Sequence, residues 1–98
     1  MEDITVSELK ERQANNEALR ILDVREEWEF EEDNMGAKLI PLGDIHNRVG
    51  EIEDWKHEEM IVHCKSGGRS GRAKKYLVSQ GFTKVRNLEG GMLAYRAY

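Results

Sequence analysis

The 98-residue sequence is poor in the residues that define many protein classes, with one cysteine, one proline, two tryptophans and two phenylalanines. A lone cysteine has no internal partner, which excludes a disulfide-stapled secreted domain and makes a reducing cytoplasm the expected compartment. No apolar run approaches the ~18 residues of a membrane span, and the acidic start Met1-Glu2-Asp3 has the wrong sign for a signal peptide. There is no repeat, no linker and no low-complexity tract, so residues 1–98 are expected to form a single domain. His46, His57 and His63 have no zinc-ligand spacing with one another or with Cys64, so no metal is expected.

What remains is ordinary globular material. Hydrophobic residues make up 39% and charged residues 35% of the chain, too apolar for disorder and too polar for a membrane protein. The formal net charge of −4 argues against nonspecific nucleic-acid binding, which needs a basic face. That figure conceals an asymmetry. Residues 1–60 carry net −11, residues 61–98 carry net +7, and Cys64 lies just inside the basic part.

Periodicity predicts short strands alternating with helices. Ile4-Thr5-Val6 is β-prone, and Ser7 is expected to cap a helix with Leu9 and Gln13 on one face, ending near Asn15-Asn16. Ile21 to Val24 reads as a buried strand, Trp28 to Asp33 as a helical turn, and Leu39-Ile40-Pro41 as a strand ending at the proline. Ile45, Val49 and Ile52 have helical spacing, Met60 to His63 is a further strand, and a helix from Arg69 stops at Gly81. Val85 to Leu88 is the last strand, and Gly90-Gly91 precedes a short helix carrying Met92, Leu93 and Tyr95. The spacing leaves no room for hairpins and indicates a parallel α/β sheet.

The segment His63-Cys64-Lys65-Ser66-Gly67-Gly68-Arg69-Ser70-Gly71-Arg72 stands apart. It places a cysteine at the carboxyl end of a strand, the edge where open α/β sheets bind ligands. Gly67 and Gly68 allow successive backbone N–H groups to converge, and the helix that follows aims its N-terminus at the same point. Lys65, Arg69 and Arg72 add positive charge. This setting is expected to hold Cys64 as a nucleophilic thiolate near neutral pH. A buried structural thiol is the plainer reading, but it does not call for a strand end, two glycines and three cations within eight residues.

Loop length narrows the chemistry. Cysteine phosphatases need Cys-x5-Arg to ring a phosphoryl group, whereas Arg69 makes this Cys-x4-Arg, with Ser70 at the x5 position. The tighter cradle suits a single sulfur added to the thiolate, a persulfide, with backbone amides stabilising its anion. Neither metal nor organic cofactor is required.

With these residues in view, the sequence resembles a single-domain rhodanese, the sulfurtransferase homology domain. Asp23-Val24-Arg25-Glu26-Glu27-Trp28-Glu29-Phe30 resembles the family's D-V-R-E-x-x-E-[FY], and Gly36 to Leu42 resembles its G-A-x-x-[IL]-P segment. Cys64 to Ser70 resembles the loop C-x-x-G-x-R-S, while Gly81-Phe82 and Asn87 to Met92 resemble G-[FY]…L-x-G-G. The resemblance implies a three-layer α/β sandwich, a central parallel sheet of about five short strands flanked by helices. It implies that Cys64 carries the persulfide, that Lys65, Ser66, Gly67, Gly68 and Arg69 hold it and receive the donor, and that Ser70 caps the helix. The implied partners are a small anionic sulfur donor or a persulfide-bearing protein, and a thiol acceptor. The protein is expected to be a monomer.

Two departures bear on the pocket. Asp33-Asn34-Met35-Gly36-Ala37 stands where the family often reads G-H-I-P-G-A, in a loop expected to border the site. Gly68 replaces a larger, often basic, residue, which predicts a more open and less cationic pocket and favours a protein persulfide donor. Asp23 and Arg25 are read as a buried structural pair, Trp28, Phe30 and Trp55 as packing residues, and Lys74 and Lys75 as solvated. His63 should point to the opposite face from Cys64. The competing classes are a noncatalytic binding module and a cysteine phosphatase or arsenate reductase.

Overall fold

The first helix begins two residues earlier than the sequence suggests. In the computed structural model, which describes residues 1–98, α1 spans Val6–Ala14, and Thr5, not Ser7, caps it by accepting from the Glu8 N–H at 3.1 Å. Val6 and Leu9 are both buried, and starting at Val6 brings them onto one face. This early start cuts the preceding strand to a single parallel bridge, Ile4 to Leu88.

The remaining elements follow the expected alternation. They are β1 Arg20–Asp23, α2 Glu27–Glu32, β2 Lys38–Leu39, α3 Ile45–Arg48, β3 Met60–His63, α4 Gly68–Ser79, β4 Val85–Asn87 and α5 Gly91–Ala97. A 3-10 turn at Leu42–Asp44 precedes α3, and 3-10 helix over Val49–Trp55 follows it, broken at Ile52. That stretch still delivers Ile45 and Ile52 to the core with Val49 packed against it.

The sheet has four parallel strands in the order β2-β1-β3-β4, not about five, because the Ile4 segment contributes only its bridge. β3 is central and every residue in it is buried. Its alternation divides the core. Met60 and Val62 join Leu22, Val24, Ile40, Ile45, Ile52, Ala73, Leu77, Phe82 and Val85 on one face. Ile61 joins Ile4, Val6, Leu9 and Leu88 on the other. Helices thus cover both faces, the arrangement a parallel sheet requires. No helix is long and apolar enough to cross a membrane.

Candidate active site

Strand order fixes where a site can form. The chain leaves β1 toward β2 on one side and leaves β3 toward β4 on the other, so a crevice opens beyond the carboxyl ends of β1 and β3. Cys64 follows β3 directly, and Val24-Arg25 with α2 follow β1. The two strand ends are stitched by the Val24 N–H donating to the His63 carbonyl at 3.0 Å.

The cysteine loop then curls around its own sulfur. Gly67 has φ +115°, a conformation that a side chain would strain, and its N–H reaches the Cys64 Sγ at 3.1 Å. Gly68 needs no special conformation, and a Cβ there would meet nothing within 4 Å. Ser70 is fully buried in the first turn of α4, with its Oγ 3.3 Å from Sγ. It is not the cap. Gly67 occupies that position, and the Ser70 hydroxyl is turned inward to the sulfur instead.

The acidity of Cys64 follows from this packing. Burial pushes the thiol up, but the Ser70 hydroxyl and the amides of Ser70, Gly67 and Ser66 outweigh it, so Cys64 sits below its ordinary range. Of the setting expected to lower its pKa, the amides reach the sulfur, whereas Lys65, Arg69 and Arg72 make no hydrogen bond to it. The Arg69 guanidinium is held by both carboxylate oxygens of Glu29, at 2.6 and 3.0 Å. Lys65 is exposed beside the site, and Arg72 lies on the outer face of α4. The dominant donors to sulfur are a hydroxyl and backbone amides.

Glu29 is the residue that sequence reasoning left without a role, although it stands in the quoted D-V-R-E-x-x-E segment. It bonds Arg69, and its Oε1 also accepts the Glu26 N–H at 2.9 Å. The Arg69 hydrogen bonds chiefly lower its pKa, to about 2, despite burial. Asp23 and Arg25 form the expected buried pair at 2.8 Å, and Arg25 also donates to the Glu29 and Asp33 carbonyls, tying α2 to the end of β1.

Two further positions, Asn87 and Gly91, shape the loop from outside it. Asn87, at the end of β4, places its Oδ1 2.6 Å from the Ser70 Oγ and donates from Nδ2 to the Gly67 carbonyl. Gly91 packs so tightly that a Cβ there would lie 2.6 Å from the carbonyl oxygens of Cys64 and Lys65. The close approach lets the N–H groups of Met92 and Leu93 donate to those same carbonyls, at 2.9 and 3.0 Å. The L-x-G-G pattern held the signal, since two adjacent glycines before a helix imply something pressing close.

A cavity of about 140 Å³ is lined by Arg25, Trp28, Glu29, Glu32, Lys65, Met92 and Arg96. Neither Cys64 nor residues 33–37 line it, although Asp33 bonds two of the lining arginines, Arg25 through its carbonyl and Arg96 through its carboxylate. Trp28 is 63% exposed and is not a packing residue. Phe30 is half-buried, and Trp55 packs against the core as expected. His63 is fully buried on the face opposite Cys64, its Nε2 3.6 Å from Asp23. Lys75 is solvated, but Lys74 bonds Asp3 at 2.7 Å. No three His, Cys, Asp or Glu side chains converge as a metal-ligand set.

The arrangement has counterparts. A family model described as Rhodanese-like domain matches residues 5–98. The chain is 33% identical over 94 residues to a sulfurtransferase of Allochromatium vinosum, covering 95% of this chain and 86% of that protein. It is 37% identical over 91 residues to YrkF of Bacillus subtilis, covering 92% of this chain but spanning only 48% of that protein's length. A rhodanese-like domain protein from Staphylococcus aureus superposes with a TM-score of 0.87 at 33% identity, over 97% of this chain and 91% of that one.

Proposed function

Because the chain belongs to the rhodanese-like domain family, we propose that it is a sulfurtransferase in which Cys64 carries sulfane sulfur as a persulfide. The observation that carries this reading is the sulfur cradle itself, with the Gly67 N–H 3.1 Å and the Ser70 hydroxyl 3.3 Å from Sγ. These donors favour the thiolate, the form that attacks.

With thiosulfate as donor, the Cys64 thiolate attacks the outer sulfur. A new S–S bond forms, the old S–S bond breaks, and its electron pair leaves with sulfite. The persulfide then carries the negative charge, and the loop amides from Ser66 to Ser70 are the groups in reach to stabilise it. An acceptor thiolate attacks the terminal sulfur in turn and releases Cys64 as thiolate. A persulfide donor, small or protein-borne, enters by the same displacement, with its own thiolate leaving. Lys65 lines the cavity, is exposed and guides an anionic donor, whereas the other exposed cation there, Arg96, is paired with Asp33. Arg69 anchors the loop to α2 through Glu29.

The cycle calls for no cofactor, and its free thiol suits a reducing cytoplasm. The Cys-x4-Arg loop weighs against phosphoryl transfer. Intact-mass spectrometry after thiosulfate or cysteine hydropersulfide treatment tests the reading. The expected result is a reductant-sensitive gain of one sulfur, absent in Cys64→Ser. No gain with either donor overturns it, and Cys64-dependent hydrolysis of an aryl phosphate would point to the phosphatase class.

A further inference from the structure

The Ser70 hydroxyl has a single proton and three acceptors within reach. They are Asn87 Oδ1 at 2.6 Å, the Gly67 carbonyl at 3.2 Å and Cys64 Sγ at 3.3 Å. Both Ser70 Oγ and Asn87 Oδ1 are oxygens, and a 2.6 Å separation requires a proton between them. Asn87 is the shortest of the three contacts and holds the larger share of the proton, so the sulfur receives only part of what the Ser70 hydroxyl can donate. Ser70 therefore stabilises a thiolate, but less than it would without Asn87.

For Ser70 to donate fully to a thiolate, it must loosen its bond to Asn87. The carboxamide has a reason to stay as it is, because its Nδ2 donates to the Gly67 carbonyl at 3.2 Å. Its backbone is fixed as well. The Asn87 N–H donates to Asp3 Oδ1 at 3.0 Å, and its carbonyl accepts from the Ile4 N–H at 3.0 Å. The side chain therefore reaches Ser70 from a rigid strand end.

We propose that Asn87 is a positioning residue that controls the direction of the Ser70 hydroxyl and, through it, the protonation of Cys64. It competes with the sulfur for one proton, while the loop amides pull the other way. This extends the reading of Cys64 as the reactive thiol, yet it is read out by titration and not by sulfur transfer. Its failure is thus separable from a failure to form persulfide.

Charged groups near the thiol do not substitute for this contact. Arg69 of α4 is tied to Glu29 of α2, Arg25 is paired with Asp23 after β1, and Arg96 of α5 is paired with Asp33. Lys65 is exposed in the loop, His63 lies on the opposite face, and Asp3 meets Asn87 only at its backbone N–H. None of these side chains is hydrogen-bonded to Sγ or to the Ser70 hydroxyl.

The test is the pH dependence of thiolate ultraviolet absorbance and of alkylation rate in the intact protein. Asn87→Ala frees the Ser70 proton for the sulfur and is expected to lower the Cys64 pKa by about one unit, the scale of one hydrogen bond to an ionised group. Asn87→Leu also removes the acceptor without adding charge, should lower the pKa, and serves as the second variant if the alanine form is unstable. In a Ser70→Ala background, Asn87→Ala should leave the titration unmoved. A raised or unchanged pKa in Asn87→Ala overturns the proposal, as does an equal shift with and without Ser70.

Discussion

At the scale of single residues, Cys64 owes its acidity to partners that carry no formal charge. Ser70 and the loop amides reach the sulfur, whereas the Arg69 guanidinium is hydrogen-bonded to Glu29 and acts on Cys64 only at a distance. Ser70→Ala should therefore raise the Cys64 pKa by about one unit, while Arg69→Ala should move it by less than half as much. Iodoacetamide alkylation across pH measures both. A larger effect from Arg69→Ala would return the cations to the leading role. Loop, cysteine and serine were all legible in the sequence. The direction of the Ser70 side chain was not, because a serine just inside a helix N-terminus reads as a cap until its χ1 is known.

At the scale of elements, the cysteine loop is held between two helices. α4 begins at its end, and α5 presses on its start, where Met92 and Leu93 donate to the Cys64 and Lys65 carbonyls. Gly91 makes that contact possible. It has φ +58°, and a Cβ would sit 2.6 Å from two backbone oxygens, which cannot move aside as a flexible side chain can. Gly91→Ala should cost about 1–3 kcal/mol of stability through overpacking and strain, and it should slow sulfur loading of Cys64. Urea denaturation and mass-resolved loading kinetics read the two effects. Wild-type stability and loading in this variant would show that α5 does not brace the loop. The pattern of elements was readable from apolar periodicity, but a helix pressing on a loop 27 residues away is a tertiary fact.

At the scale of the whole molecule, the acidic and basic parts of the chain fold onto each other. Arg86 pairs with Glu8 and Glu59, Lys74 with Asp3, Arg69 with Glu29 and Arg96 with Asp33. Hydrogen bonds from Arg69 and from Arg12 chiefly hold Glu29 and Glu59 down to about 2, from an ordinary 4.5. The unfolded chain takes up these protons near 4.5 and the folded one only near 2, so their contribution is complete above 4.5 and is lost as pH falls to about 2. His63 adds an earlier decline. Burial, chiefly, keeps its pKa below 6.5, so the unfolded chain binds that proton first and stability begins to fall below pH 6.5. Urea midpoints measured from neutral to acid pH should show a shallow fall followed by a steeper one. A midpoint that holds constant to about pH 3 would mean these pairs add nothing to folding.

The sequence by itself determined the order of strands and helices, the parallel sheet and the cysteine at a strand end. Each of these follows from local pattern: apolar period, glycine position and the few residues between elements. It also located His63 away from Cys64, since alternation along a strand needs no tertiary information. Only the tertiary structure decided which charges are free and which are already paired. Glu29 and Arg69 lie 40 positions apart in the chain, and Ser70 and Asn87 lie 17 apart. Their meeting depends on strand order, which no local pattern encodes. The lone cysteine was evident from the first count of residues, and the hydroxyl that tunes it became visible only when β4 was set beside β3.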